Sequence, residues 1–209
     1  MADASIIFMG TPHFSLPSLE ALHAGPYRLA AVVTPPDRPR GRGLRVKISP
    51  VKEFALQAGI KVLQPANLKT PEFRREIKSL EPDLLVTVAY GKILPPAILD
   101  IPTLGAINLH ASLLPAYRGA APINRAIMDG SSLTGVTVMR MSEELDAGDI
   151  IMQAQEPISI EDTAGSLHDR LAVKGGCLLL RAVKALLVGT AVLKPQDPQR
   201  RTLFMPVAP

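Results

Sequence analysis

The sequence predicts an α/β fold, a Rossmann-like, mostly parallel sheet with helices on both faces. Three observations predict it. The chain opens strand–helix–strand, with apolar residues 6–9 and 29–33 flanking a helical stretch at 15–24, as a βαβ unit does. Residues 83–89 are almost wholly apolar, as a parallel strand covered on both faces must be. Ile107 and Leu109 alternate with Asn108 and His110, so a polar pair shares one face of a strand. That pair sits near the strand's carboxyl end, where open α/β sheets bind ligands.

The remaining elements follow from local chemistry. In the first helix Leu16, Leu19 and Leu22 recur along one face, and Gly25 fits the position just past its end. The turn after the first strand, Gly10-Thr11-Pro12-His13-Phe14, lacks the spaced glycines of a dinucleotide site, and no P-loop is present. Residues 34–48 read as a Pro-, Gly- and Arg-rich loop. Ser49-Pro50 and Thr70-Pro71 each place a capping hydroxyl before a proline at the first helical position. They predict helices ending near Gly59 and Leu80, with a short strand at 60–63 between them. Pro95 and Pro96 open a short helix to Leu99. A helix at 122–128, a strand at 135–141, an acidic loop at 142–149 and a strand at 150–158 come next.

A long amphipathic helix is expected from about Thr163 to Val188. Its buried face should comprise Leu167, Leu171, Leu178, Val183 and Leu186 or Leu187. Gly175-Gly176 inside it predicts close packing or a bend. The tail from Lys194 shows no clear element. Residues 1–194 thus read as one domain and 195–209 as a C-terminal tail.

Composition narrows the classes. Apolar residues make up 47% of the 209 and aromatics only 4%, so the chain folds around an aliphatic core rather than staying disordered. No apolar run is long enough to span a bilayer, and the N-terminus is no secretion signal. The single Cys177 excludes an internal disulfide; it lies in an apolar helical run and reads as a core residue in a reducing compartment. A bacterial cytoplasm is the expected location and a monomer the expected state. His13, His23 and His168 read as structural or surface residues, and no ligand spacing suggests a metal. The net charge is +4, but six basic residues (Arg38, Arg40, Arg42, Arg45, Lys47, Lys52) stand between Asp37 and Lys52 against one acid. Such a loop can meet phosphates.

The run from Asn108 through His110, Ser112-Leu113-Leu114-Pro115 and Tyr117-Arg118-Gly119-Ala120-Ala121-Pro122-Ile123 resembles the signature of the folate-dependent formyltransferases. Gly135-Val136-Thr137, Leu145-Asp146-Ala147-Gly148-Asp149-Ile150 and the loop 36–43 match the same family in the same order. The resemblance implies the formyltransferase fold, with 10-formyltetrahydrofolate as donor and the α-amine of methionyl-initiator tRNA as acceptor. Alternatives are an amino-sugar nucleotide as acceptor, water as acceptor in a formyl-folate hydrolase, or a non-catalytic tRNA- or folate-binding remnant. Formyl transfer needs an oxyanion donor and a proton relay, but neither a metal nor a covalent nucleophile. Asn108 and His110 supply these groups, and the resemblance adds Asp146 as the carboxylate beside His110.

It also places the folate against Ser112, Leu113, Leu114 and Pro115, with Tyr90 lining the same pocket, and tRNA at Arg40, Arg42 and Arg45. Two departures stand out. Ala111 replaces a glycine usual in the family, and the usual second, β-barrel domain is not recognisable after residue 194.

Overall fold

A computed structural model describes residues 4–40 and 45–204, with the backbone alone for 38–40 and 45–46. The fold is α/β, a seven-stranded mixed sheet with helices. The chain forms two compact units, Met1–Ala106 and Ile107–Pro209.

In the first unit, β1 (Ala4–Gly10) pairs in parallel with β2 (Tyr27–Val33) on one side. On the other side it pairs in parallel with β6 (Leu84–Val88), and β5 (Val62–Leu63) extends the sheet beyond β2. Ile6, Ile7, Phe8 and Met9 are fully buried, as is most of β6. Helices α1 (Leu16–His23), α2 (Pro50–Gln57), α3 (Pro71–Ser79) and α4 (Pro96–Leu99) connect the strands. The two hydroxyl caps form as expected: Ser49 accepts from the Lys52 N–H and Thr70 from the Phe73 N–H. The chain moves outward from β1 through β2 to β5, then returns to the opposite side of β1 as β6. The order reverses at β1, so a crevice opens between the carboxyl ends of β1 and β6.

The loop expected at 34–48 contains a short antiparallel ribbon, β3 (Arg38–Arg40) with β4 (Arg45–Lys47). Its register sets Arg38 opposite Lys47 and Arg40 opposite Arg45. An isolated two-stranded ribbon tolerates Pro39 because proline is admitted on edge strands.

In the second unit, β7 (Ala106–His110) pairs antiparallel with β9 (Leu133–Arg140), and β9 with β10 (Ile150–Pro157). Helix α6 (Ala164–Leu187) packs on β9 and β10, and α5 (Pro122–Met128) packs beside it. Leu167, Leu171, Leu178, Val183 and Leu186 are buried as expected. Gly175 explains the glycine pair by packing: a Cβ there would lie 2.7 Å from Leu109 Cδ2. Cys177 is exposed, which corrects the expectation of a core thiol. It shares a helix face with Val173 and Arg181, both exposed, while the core stripe runs through its neighbours on either side. The tail is also ordered into structure: β11 (Leu203–Phe204) pairs in parallel with β8 (Arg118–Gly119).

Candidate active site

Strand β7 carries Asn108 and His110 on one face, and the register sets His110 opposite Thr137 of β9. His110 is 7% exposed. Its Nε2 lies 2.8 Å from the Tyr117 carbonyl oxygen, and its Nδ1 lies 3.5 Å from Asp146 Oδ2. Both ring nitrogens therefore face oxygen acceptors, and only the doubly protonated ring can donate to both at once. Asp146 Oδ2 also accepts the Gly119 N–H at 2.9 Å. Asp146 has a φ of 49°, a left-handed conformation that Asp adopts more readily than most residues. The structure thus brings His110 and Asp146 together, and Asn108 stands two positions along the same strand face.

The segment 112–115 is fixed from below. Thr137 Oγ1 donates to the Ser112 carbonyl at 2.6 Å and accepts the Leu114 N–H at 3.1 Å. Gln153 Nε2 bonds both Thr137 Oγ1 and the Leu114 carbonyl, each at 2.9 Å. Leu113 packs over Gly135, where a Cβ would lie 2.6 Å from its Cδ2. The Leu114-Pro115 peptide is cis. Ser112 is fully buried and its hydroxyl donates to the Ala116 carbonyl at 2.6 Å. The loop therefore presents a preset shape, with Leu113 and Pro115 half-buried.

Tyr90 belongs to the first unit. There the crevice at the strand-order reversal is a cleft of about 720 Å³ whose lining includes Thr11, His13, Asp37, Lys47, Glu53 and Tyr90. Tyr90 is 5% exposed, and its hydroxyl has no hydrogen-bond partner among the described residues. Burial pushes its pKa up to about 12. His13, read from the sequence as a structural or surface residue, is exposed and lines this cleft. Its position two residues beyond a Gly-Thr turn at a strand's carboxyl end was the available signal.

Of the basic residues, Arg42 lies outside the described residues, and Arg40 and Arg45 are paired by backbone in the ribbon. Lys52 is not part of that basic surface. Its Nζ bonds the Asp37 carboxylate and, at 2.6 Å, Gln64 Oε1. Gln64 Nε2 in turn donates to the Pro35 carbonyl and to Asp37 Oδ1, each at 2.9 Å. The hydrogen bonds from Lys52 and Gln64 hold the Asp37 carboxyl below the usual carboxylate range. This cluster clamps the segment entering the ribbon to α2 and to the end of β5. No group of three or more His, Cys, Asp or Glu side chains that could hold a metal is found among the described residues. Among the same residues no helix is long and apolar enough to cross a membrane.

The sequence and the fold of the chain match those of known proteins. The family model described as formyl transferase matches residues 4–183. The chain is 54% identical over 192 residues to the methionyl-tRNA formyltransferase of Ruminiclostridium cellulolyticum, covering 92% of this chain and 62% of that protein. It is 51% identical over 204 residues to the methionyl-tRNA formyltransferase of Moorella thermoacetica, covering 98% and 66%. The chain thus spans under two thirds of these curated relatives' length. Among solved structures, glycinamide ribonucleotide transformylase 1 from Symbiobacterium toebii superposes with a TM-score of 0.75 at 23% identity, covering 94% and 95% of the two chains. At that identity the likeness establishes the fold.

Proposed function

The chain belongs to the formyl transferase family, and on that premise we propose that it transfers a formyl group from 10-formyltetrahydrofolate to the α-amine of methionyl-initiator tRNA. The observation that carries the chemistry is the convergence of His110 and Asp146 beside Asn108. The amine nitrogen attacks the formyl carbon, and the carbonyl electrons move onto oxygen. Asn108 donates its amide N–H to that oxyanion, as a neutral group that does not repel it. The attacking nitrogen gives up a proton to His110. The bond from the formyl carbon to the folate nitrogen then breaks, and that nitrogen takes a proton. Asp146 orients the imidazole and balances its charge while it carries the proton.

The folate is taken to lie on the preset loop of Ser112, Leu113, Leu114 and Pro115. Tyr90 lines the cleft of the first unit and contributes to ligand binding there. Two observations support tRNA over a sugar or water as acceptor. One is the identity of more than half of aligned positions with methionyl-tRNA formyltransferases. The other is the ribbon over residues 38–47, whose register sets basic positions opposite basic positions. Like charges across a ribbon disfavour it, and a phosphate backbone relieves that cost. Arg40, Arg42 and Arg45 are assigned to tRNA on this ground. The reading includes a monomeric, cytoplasmic enzyme with its catalytic groups within residues 1–194.

A single-turnover assay offering charged initiator tRNA, an amino-sugar nucleotide and water to the formyl-folate complex tests the proposal. Formyl label on the methionyl amine is expected. Label on the sugar, or release as formate, would replace the acceptor assignment.

A further inference from the structure

The tail that follows α6 is tied to both partners of His110. Thr202 accepts the Arg118 N–H at its carbonyl at 2.8 Å and the Tyr117 N–H at its hydroxyl at 2.6 Å. Its own N–H donates to the Pro115 carbonyl at 3.2 Å, and the Phe204 carbonyl accepts the Ala120 N–H at 2.8 Å. The Phe204 ring stacks on Tyr117 with centroids 6.0 Å apart. These bonds fix the loop whose Tyr117 carbonyl meets His110 Nε2.

Gln196 serves the other partner. Its Oε1 accepts from Arg118 Nε at 3.0 Å, and its Nε2 donates to the carbonyl oxygens of Asp146 at 2.9 Å and Gly148 at 2.8 Å. One amide thus spans both sides of the Gly119–Asp146 hydrogen bond: it holds Arg118, next to Gly119, and the backbone of Asp146 itself. The loop has little other freedom. A Cβ at Gly148 would lie 2.0 Å from the Arg140 carbonyl oxygen, and Arg118 is 5% exposed. The left-handed backbone of Asp146 points its carbonyl at Gln196 while its side chain points at His110.

We propose that Gln196 is a positioning residue that sets Asp146 against His110, so that the segment after α6 is part of the reaction site. The inference rests on the roles given above to His110 and Asp146.

The test compares Gln196→Leu, Asp146→Asn and the double variant in this chain. Gln196→Leu nearly keeps the volume and removes the hydrogen bonds to Arg118, Asp146 and Gly148, along with a longer one to Met139 Sδ. It is expected to lower kcat about ten- to a hundredfold, with KM for the folate donor nearly unchanged, as misplaced groups around a reacting centre do. Hydrogen exchange at the Gly119 amide is expected to speed up. In the Asp146→Asn background Gln196→Leu should cost little more, because it acts through the residue already removed. A purely structural role would lower Tm and leave kcat per folded molecule intact, in the wild-type and the Asp146→Asn background alike. That result overturns the inference. Gln196→Glu retains the acceptor for Arg118 but loses both donors; it is expected to be as slow, and it carries the same test if Gln196→Leu does not fold. A wild-type rate in folded Gln196→Glu overturns the inference, provided Asp146→Asn is slow. A wild-type rate in Asp146→Asn instead removes the site reading, and the inference falls with it.

Discussion

His110 ends β7 and Asp146 lies in the loop between β9 and β10, yet Nδ1 and Oδ2 stand 3.5 Å apart in a site where each side chain is about nine-tenths buried. The separation is longer than a good hydrogen bond, and Oδ2 already accepts the Gly119 N–H. The carboxylate is therefore anchored first by backbone and faces the imidazole second. An imidazole held loosely by a fixed carboxylate can reorient toward a reacting nitrogen without losing its counter-charge. Catalytic contacts of this kind commonly tighten when substrate binds.

Asn108→Ala and His110→Ala are each expected to slow the chemical step by at least about a hundredfold, the usual effect of removing one such donor. Folate binding should change little, because the loop at 112–115 is held by Thr137 and Gln153 rather than by either residue. Single-turnover rates and equilibrium folate titrations read the two effects separately. Near-normal turnover in either variant would sink the assignment.

The Lys52–Asp37–Gln64 cluster should act on tRNA and not on folate. Lys52→Met leaves the Asp37 carboxylate with Gln64 alone and frees the segment that enters the ribbon. The expected result is a KM for charged tRNA raised several-fold with kcat and the folate KM nearly unchanged. Arg42→Ala should flatten the salt dependence of tRNA binding by about one unit of slope, as loss of one phosphate contact does. Equal slopes for Arg42→Ala and wild type would remove the loop from the tRNA site.

Much of this architecture was legible in the sequence, and each part that was not has its own physical reason. Ser49-Pro50 and Thr70-Pro71 announced their helices because capping is a local interaction, complete within four residues. Asn108 and His110 were legible because strand alternation alone puts them on one face. Cys177 was misread because an apolar run says nothing of direction, whereas the helical period sends it outward beside Val173 and Arg181. Asp146 sat among other acids, and only resemblance singled it out. Gln196 had no local signal at all. Its hydrogen-bond partners lie 48 to 78 residues away, and contacts of that range leave no periodicity to read.

Glu156 gives a prediction in pH. Hydrogen bonds from Lys174 and Arg170 hold its carboxyl below the usual carboxylate range, tying α6 to β10. With the folded pKa below the unfolded value of about 4.3, the stabilisation is complete above that value. It is lost as pH falls through it toward the folded pKa. Glu156→Gln should therefore cost about 2 kcal/mol near neutral pH, the scale of bonds to a charged group. The gap to wild type should close once the pH falls well below about 4. Denaturant unfolding over a pH series measures it, and a gap that stays constant down to acid would show that the ion pairs add nothing.

Tyr90 offers the opposite kind of test, in which a deletion stabilises. Its hydroxyl is buried without a partner among the described residues, a cost of about 1–3 kcal/mol. With a pKa of about 12 it stays neutral at any working pH, so it can serve a ligand only as a hydroxyl. Tyr90→Phe is expected to raise the stability of the ligand-free protein by about 1 kcal/mol and to weaken whatever fills the 720 Å³ cleft. Separate titrations with the folate donor and with charged tRNA identify that ligand. Loss of folate affinity alone would place the donor in this cleft. Loss of tRNA affinity alone would give the cleft to the acceptor, with Thr11 and His13 beside it. A variant that is less stable and binds both normally would make Tyr90 an ordinary core residue.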